Sequence, residues 1–145
     1  MPRIERKANV VWEGNAARGN GAITAGSSGA FADLPYGLAS RIGAPEGKTS
    51  PEELLAAAHA GCFTMSLAGE LTKAGTPPGR LDVTCLIVMD EIPDEGHQIV
   101  GSRITVRAEV DGADLPPALE LADAGCPFSI LLRKSGATVE ITSVD

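Results

Sequence analysis

Aromatic residues are scarce in this chain: of 145 residues, only Trp12, Phe31, Tyr36, Phe63 and Phe128 belong to the Phe, Trp and Tyr class. With 43% hydrophobic content, the core must therefore be built from Ala, Val, Leu and Ile. Such a small-residue core relies on close backbone approach or on a partner chain. Basic residues are also in deficit, 12 Lys and Arg against 19 Asp and Glu, for a net charge of -7. The two signs are interleaved and form no basic stripe, so nucleic acid is not an expected partner. No run of about eighteen or more apolar residues is present, and the segment Met1-Pro2-Arg3-Ile4-Glu5-Arg6-Lys7 lacks the apolar stretch of a secretory signal. No membrane partner is expected, and the chain reads as cytoplasmic.

Histidine is limited to His59 and His97, and no ligand cluster has zinc-like spacing, so no metal site is expected. The three cysteines, Cys62, Cys85 and Cys126, include no CxxC pair. In a reducing compartment they point to catalysis or simple burial rather than to a structural disulfide framework.

What is present is a chain of single-domain length, residues 1–145, able to bury about two-thirds of its unfolded surface. Ile4–Val11 and Gly21–Ala25 read as two short strands joined by the polar turn 13–20, a hairpin. Residues 26–50, rich in Gly, Ser, Ala and Pro, read as a long loop with strand-like pieces around Phe31 and Tyr36-Gly37-Leu38; such a loop is usually functional. Ser50 then offers a cap, Pro51 fits the first helical position and Glu53 completes a capping box. Apolar residues follow on nearly every face until Gly75 and Pro77-Pro78 stop the helix, after roughly 23 residues or about 35 Å. A helix apolar all round is surrounded by protein. Alternation over Val83, Cys85, Ile87 and Met89, and again over Ile104, Val106, Ala108 and Val110, predicts an antiparallel pair. Helices are predicted from Leu115 to Ala124 and from Pro127 to Lys134, with a last strand over Ala137–Ser143. The order is α+β, without the strict strand–helix alternation of a Rossmann fold.

The candidate chemistry lies in two thiols on two helices, which suggest a redox pair. Cys62 follows the helix start by about ten residues, beyond the reach of that helix's own dipole, so a thiolate there needs a cation from elsewhere. Arg41, in the long loop, is a candidate; Glu52, in the first turn, can partner such an arginine or simply be a favourable charge at a helix N-terminus. The plain alternative for Cys62 is a small buried hydrophobe. Cys126, before Pro127, occupies an expected N-cap where free N–H groups stabilise a thiolate, which on local physics makes it the more acidic thiol. Cys85 shares the apolar face of its strand and reads as core. His59, three residues before Cys62, raises a rival Cys-His hydrolase arrangement. A non-catalytic module that binds apolar ligands is the third reading.

Four stretches together are specific: Trp12-Glu13-Gly14; Pro35-Tyr36-Gly37 with Arg41; Ser50-Pro51-Glu52-Glu53-Leu54 running on to Ala58-His59-Ala60-Gly61-Cys62-Phe63; and Ala124-Gly125-Cys126-Pro127. On these residues the chain resembles the OsmC/Ohr family of thiol-dependent peroxidases, in its OsmC branch, over essentially its whole length. The resemblance implies an OsmC-like α+β fold with antiparallel sheets around a long central helix, in an intertwined homodimer. It implies that Cys62 is the peroxidatic thiol and Cys126 the resolving one, with a Cys62–Cys126 disulfide between turnovers. Arg41 corresponds to the catalytic arginine and Glu52 to its carboxylate partner; Arg18 is then not catalytic. The implied substrate is an organic hydroperoxide, hydrogen peroxide being used less well. The implied reductant is an external dithiol of lipoyl type, and no cofactor is called for.

Overall fold

Periodicity decides most of the architecture. The computed structural model describes residues 2–145; Met1, the first residue of the N-terminal segment read above, lies outside them. The chain divides between Pro51 and Glu52 into two compact units.

The first unit is a three-stranded antiparallel sheet of β1 (Asn9–Glu13), β2 (Asn20–Thr24) and β3 (Leu34–Tyr36), followed by the short helix α1 (Leu38–Ile42). The expected hairpin is present, but its first strand starts at Asn9 rather than Ile4, because pairing begins where Asn9 meets Thr24. The turn between the strands is closed by Asn15, whose side chain accepts from the Arg18 N–H at 2.8 Å and whose carbonyl accepts from the Gly19 N–H at 2.7 Å. The predicted loop 26–50 contains more structure than expected: β3 pairs with β2, and Ser40 closes the first turn of α1 by bonding both the N–H and the carbonyl of Gly37 at 3.1 Å. Arg41 accordingly stands on a helix, not in a loop.

The second unit contains α2 (Pro51–Lys73, apart from its first residue), β4 (Arg80–Ile92), β5 (Gly96–Glu109), α3 (Leu115–Ala124), α4 (Pro127–Lys134) and β6 (Thr138–Val144). The stops of α2 and α4 rest on a glycine in the left-handed region. At the end of α2, Gly75 has φ +80°, and the N–H groups of Gly75 and Thr76 return to the carbonyls of Thr72 and Leu71. At the end of α4, Gly136 has φ +94°, and the N–H groups of Gly136 and Ala137 return to Arg133 and Leu132. These are Schellman closures, which satisfy carbonyls the helix itself leaves unpaired.

Strands β4 and β5 pair antiparallel with an irregularity at Val88/Met89. The expectation of antiparallel sheets holds at every pairing but one, since β6 runs parallel to β5. A parallel neighbour needs a long crossover, and α3 and α4 supply it. Ser102, Ile104 and Val106 of β5 point inward while Arg103 and Arg107 face out. The core joins Ile104 and Val106 to Phe63, Leu67 and Leu71 of α2, Ala118 and Ala122 of α3, and Cys126. Each large side chain among them contributes about 1.5–3 kcal/mol by burial.

By length and composition α2 could cross a bilayer, but it buries one stripe, His59, Phe63, Leu67 and Leu71, in this core. The all-round burial expected for it is not met within the chain, where Met65 is 79% exposed.

Candidate active site

The second unit brings two of the predicted residues together. Cys62 lies half-buried on α2 beside Phe63, and Cys126 is fully buried just ahead of α4. Both are free thiols, and Cys62 packs against the cluster that holds Cys126; burial pushes the Cys62 pKa up first, and the neighbouring Cys126 thiol and its charge push it further. The backbone amide of Phe128 acts in the opposite direction.

Cys126 does occupy the N-cap of α4, with extended backbone and Pro127 at the first helical position, but its sulfur makes no capping hydrogen bond. The expectation that the start of this helix serves Cys126 is corrected on that point. Proline has no N–H to give, so the first backbone donor of α4 is Phe128, and its influence falls on Cys62, favouring that thiolate.

His59 does not form the Cys-His arrangement. Its Nδ1 is 2.7 Å from Ser102 Oγ and its Nε2 is 2.8 Å from Ser129 Oγ, so both ring nitrogens are occupied by serines of β5 and α4. All three residues are fully buried. Burial lowers the histidine pKa first; a nearby Asp123 carboxylate raises it and the Arg133 guanidinium lowers it. A neutral ring suits this site, donating to one hydroxyl and accepting from the other. Cys85 adjoins the same group, its sulfur 3.2 Å from Ser102 Oγ, with burial raising its pKa. This buried polar cluster was missed in the sequence, although His59 and Ser102 interrupt otherwise apolar patterns.

Within the first unit, the other stretches singled out above converge. Trp12, Gly21 and Tyr36 are successive partners across the three strands, and the Trp12 and Tyr36 rings meet edge to face with centroids 5.5 Å apart. Trp12 Nε1 donates to the carbonyl of Gly14 at 3.0 Å. Together with Ala16, Gly37, Leu38 and Arg41 these rings line a cavity of about 350 Å³. That is the lower end of small-molecule pocket sizes. A cavity lined by Arg41 and aromatic rings suits a small ligand with an apolar body and a polar or anionic end. Glu52 lies half-buried in the first turn of α2.

Residues 43–142 match the sequence profile of the OsmC family, described as OsmC-like protein. The chain belongs to the OsmC family. Glu52, Cys62 and Cys126 fall inside that match, and Arg41 just before it. Among OsmC relatives, the chain is 36% identical over 135 residues to the Peroxiredoxin OsmC of Escherichia coli (strain K12), covering 90% of this chain and 91% of that one. The Peroxiredoxin OsmC of Shigella flexneri matches to the same degree. Solved structures share the fold. An organic hydroperoxide resistance protein OsmC from Legionella pneumophila aligns with TM-score 0.72 at 18% identity, over 99% of this chain and 100% of that chain. OhrB of Bacillus subtilis aligns with TM-score 0.72 at 23% identity, over 95% and 98%.

Proposed function

We propose that this OsmC-family chain, acting as one domain, is a thiol-dependent peroxidase that reduces organic hydroperoxides through Cys62 and Cys126. The observation that carries the reading is the proximity of the two thiols, one on α2 packed against the cluster that holds the other at the start of α4. Its 36% identity to a peroxiredoxin supports the same chemistry.

In the proposed cycle the Cys62 thiolate attacks the terminal oxygen of the hydroperoxide. An S–O bond forms, the O–O bond breaks, and the alkoxide takes up a proton and leaves as the alcohol. Sulfur has lost two electrons and is now a sulfenic acid. Cys126 then attacks it: the S–S bond forms, the S–O bond breaks, and the oxygen departs as water with the thiol's proton. An external dithiol, of lipoyl type, reduces the disulfide. Within its own unit the Cys62 thiol is pushed upward in pKa, so the cycle needs a cation, and Arg41 with Glu52 as its carboxylate partner is assigned that role. Aromatic walls around Arg41 favour an alkyl substituent over hydrogen peroxide, by about 0.8 kcal/mol for each buried CH₂.

We also infer a homodimer. Met65 of α2, at 79% exposure, and Leu86 and Leu131, at 53% and 58%, leave apolar surface open on the single chain, and a second copy would cover it. A reducing cytoplasm suits a dithiol cycle, and neither a membrane nor nucleic acid takes part.

Mass spectrometry after one equivalent of an organic hydroperoxide tests the cycle. The wild type should yield a Cys62–Cys126 disulfide, and Cys126→Ser should yield oxidised Cys62. Absence of both products sinks the peroxidase reading and leaves the ligand-binding module. Sedimentation of a monomer at micromolar concentration would contradict the dimer.

A further inference from the structure

Two side-chain hydrogen bonds tie α2 to the run formed by α3 and α4, and the thiol pair shares their register. His59 Nε2 meets Ser129 Oγ at 2.8 Å and Ser66 Oγ donates to the carbonyl of Ala122 at 2.8 Å, while between them Cys62 packs against the cluster that holds Cys126. Each step of one turn forward along α2 is matched by one turn back along the other run. The thiols thus lie at the centre, with a hydrogen bond one turn away on either side, about 4.5–6 Å along the helix axis at 1.5 Å per residue.

We propose that these two hydrogen bonds form a bracket that positions the Cys62 and Cys126 sulfurs, so that His59, Ser129 and Ser66 set whether an oxidised Cys62 is resolved as a disulfide or over-oxidised. The proposal rests on the peroxidase reading above.

The argument is one of register. The seam around the thiols is otherwise apolar, with Phe63, Leu67, Ala118 and Ala122 in one cluster, and apolar contacts tolerate a small slide of one helix along another. Directional hydrogen bonds do not. A slide would leave the His59 Nε2 and Ser129 Oγ atoms, on fully buried residues, unpaired, which costs about 1–3 kcal/mol for each orphaned group. Ser102 holds the second ring nitrogen at 2.7 Å, so the imidazole is pinned to β5 while it engages α4. At the other end, Ser66 takes a carbonyl in the last turn of α3, one of those the helix leaves unpaired. The two sulfurs must close to about 2.05 Å to form the disulfide, so that step is sensitive to their placement. The first oxidation involves only Cys62 and the hydroperoxide.

The two fates of the sulfenic acid compete. Resolution is intramolecular and releases water, as written above. Over-oxidation needs a second hydroperoxide, whose O–O bond breaks as a second S–O bond forms, giving the sulfinic acid and another alcohol. The peroxide concentration that converts half of Cys62 to sulfinic acid therefore reads out the resolving rate.

Rapid mixing of the full-length reduced protein with tert-butyl hydroperoxide, with mass spectrometry of Cys62, tests the bracket. Ser129→Ala should leave sulfenic acid formation within about twofold of wild type while slowing disulfide formation about tenfold, a loss of about 1.4 kcal/mol in that step alone. The half-conversion concentration for the sulfinic acid should fall by the same factor. Ser129→Thr, which keeps the hydroxyl, should restore both. Ser66→Ala, at the opposite end, should move the same two quantities in the same direction and serves if Ser129→Ala does not fold. Wild-type resolution in both alanine variants overturns the bracket, as does a slow Ser129→Thr. No oxidation of Cys62 in the wild type would instead remove the peroxidase reading, and the bracket with it.

Discussion

The backbone amide of Phe128, at the start of α4, favours the thiolate of Cys62 on a different helix. Cys62 stands too far along α2 to feel that helix's own N-terminus, yet the N-terminus of α4 acts on it. Because Pro127 has no N–H, Phe128 is the first donor α4 can offer. Set against this are burial and the neighbouring Cys126 sulfur, which all favour the protonated thiol.

Removing Cys126 should therefore lower the Cys62 pKa. In Cys126→Ala the influence and charge of the second thiol are gone, while that of the Phe128 amide remains. The pH dependence of alkylation at Cys62, followed by peptide mass spectrometry, should shift to lower pH than in the wild type. A shift to higher pH would mean that Cys126 assists ionisation rather than opposing it.

Stability should fall on both sides of neutrality. The His59 pKa is lowered in the fold, first by burial, so near and below the ordinary value of about 6.5 the unfolded chain binds more protons than the folded one. Stability then declines as pH drops through that value toward the folded pKa. Cys62 and Cys85 are raised, in both cases first by burial; their contribution is complete below the unfolded thiol pKa of about 8.5 and is lost as pH rises through the folded one. Denaturant unfolding at a series of pH values should show both declines, and His59→Gln should flatten the acidic one. An unchanged acidic slope in that variant would place its origin in other groups.

Cys85 should remain a thiol when the other two react. It lies half-buried on β4, with its sulfur against Ser102 Oγ at 3.2 Å and its pKa raised by burial, and a protonated thiol is a poor nucleophile. After treatment with excess hydroperoxide, peptide mapping should find Cys85 reduced while Cys62 and Cys126 carry the oxidation. Oxidation of Cys85 at a rate equal to that of Cys62 would contradict this assignment.

Periodic elements were legible because one physical signal dominates each. Leu115–Ala124 and Pro127–Lys134 follow from proline starts and glycine stops, and the β4–β5 pair follows from alternation. The short α1 was not legible: its five residues give too few turns for a period to show, and its start depends on Ser40 reaching back to Gly37. Nor could the direction of β6 be read, since a strand's alternation is the same whichever way it runs. For the site, Cys62 and Cys126 stood out by spacing and resemblance. The partners of His59 lie 43 and 70 residues away, a separation that no local pattern encodes.

Gly21 is the position at which the Arg41 cavity is most exposed to a single substitution. It faces Trp12 on one strand and Tyr36 on the other, and a Cβ there would come within 2.1 Å of the Tyr36 ring. The absence of a side chain is what lets the tyrosine lie across β2 and reach Trp12. Gly21→Ala should therefore displace Tyr36, at a cost of about 1–3 kcal/mol as for other overpacked sites. Trp12 is the only tryptophan, so its fluorescence reports the loss of the ring contact directly, while denaturant unfolding measures the cost. If the cavity binds the alkyl part of the substrate, the same variant should lose the preference for long-chain over short-chain hydroperoxides while Cys62 still forms a disulfide with Cys126. An unchanged chain-length preference, with Tyr36 shown to have moved, would place the alkyl group elsewhere.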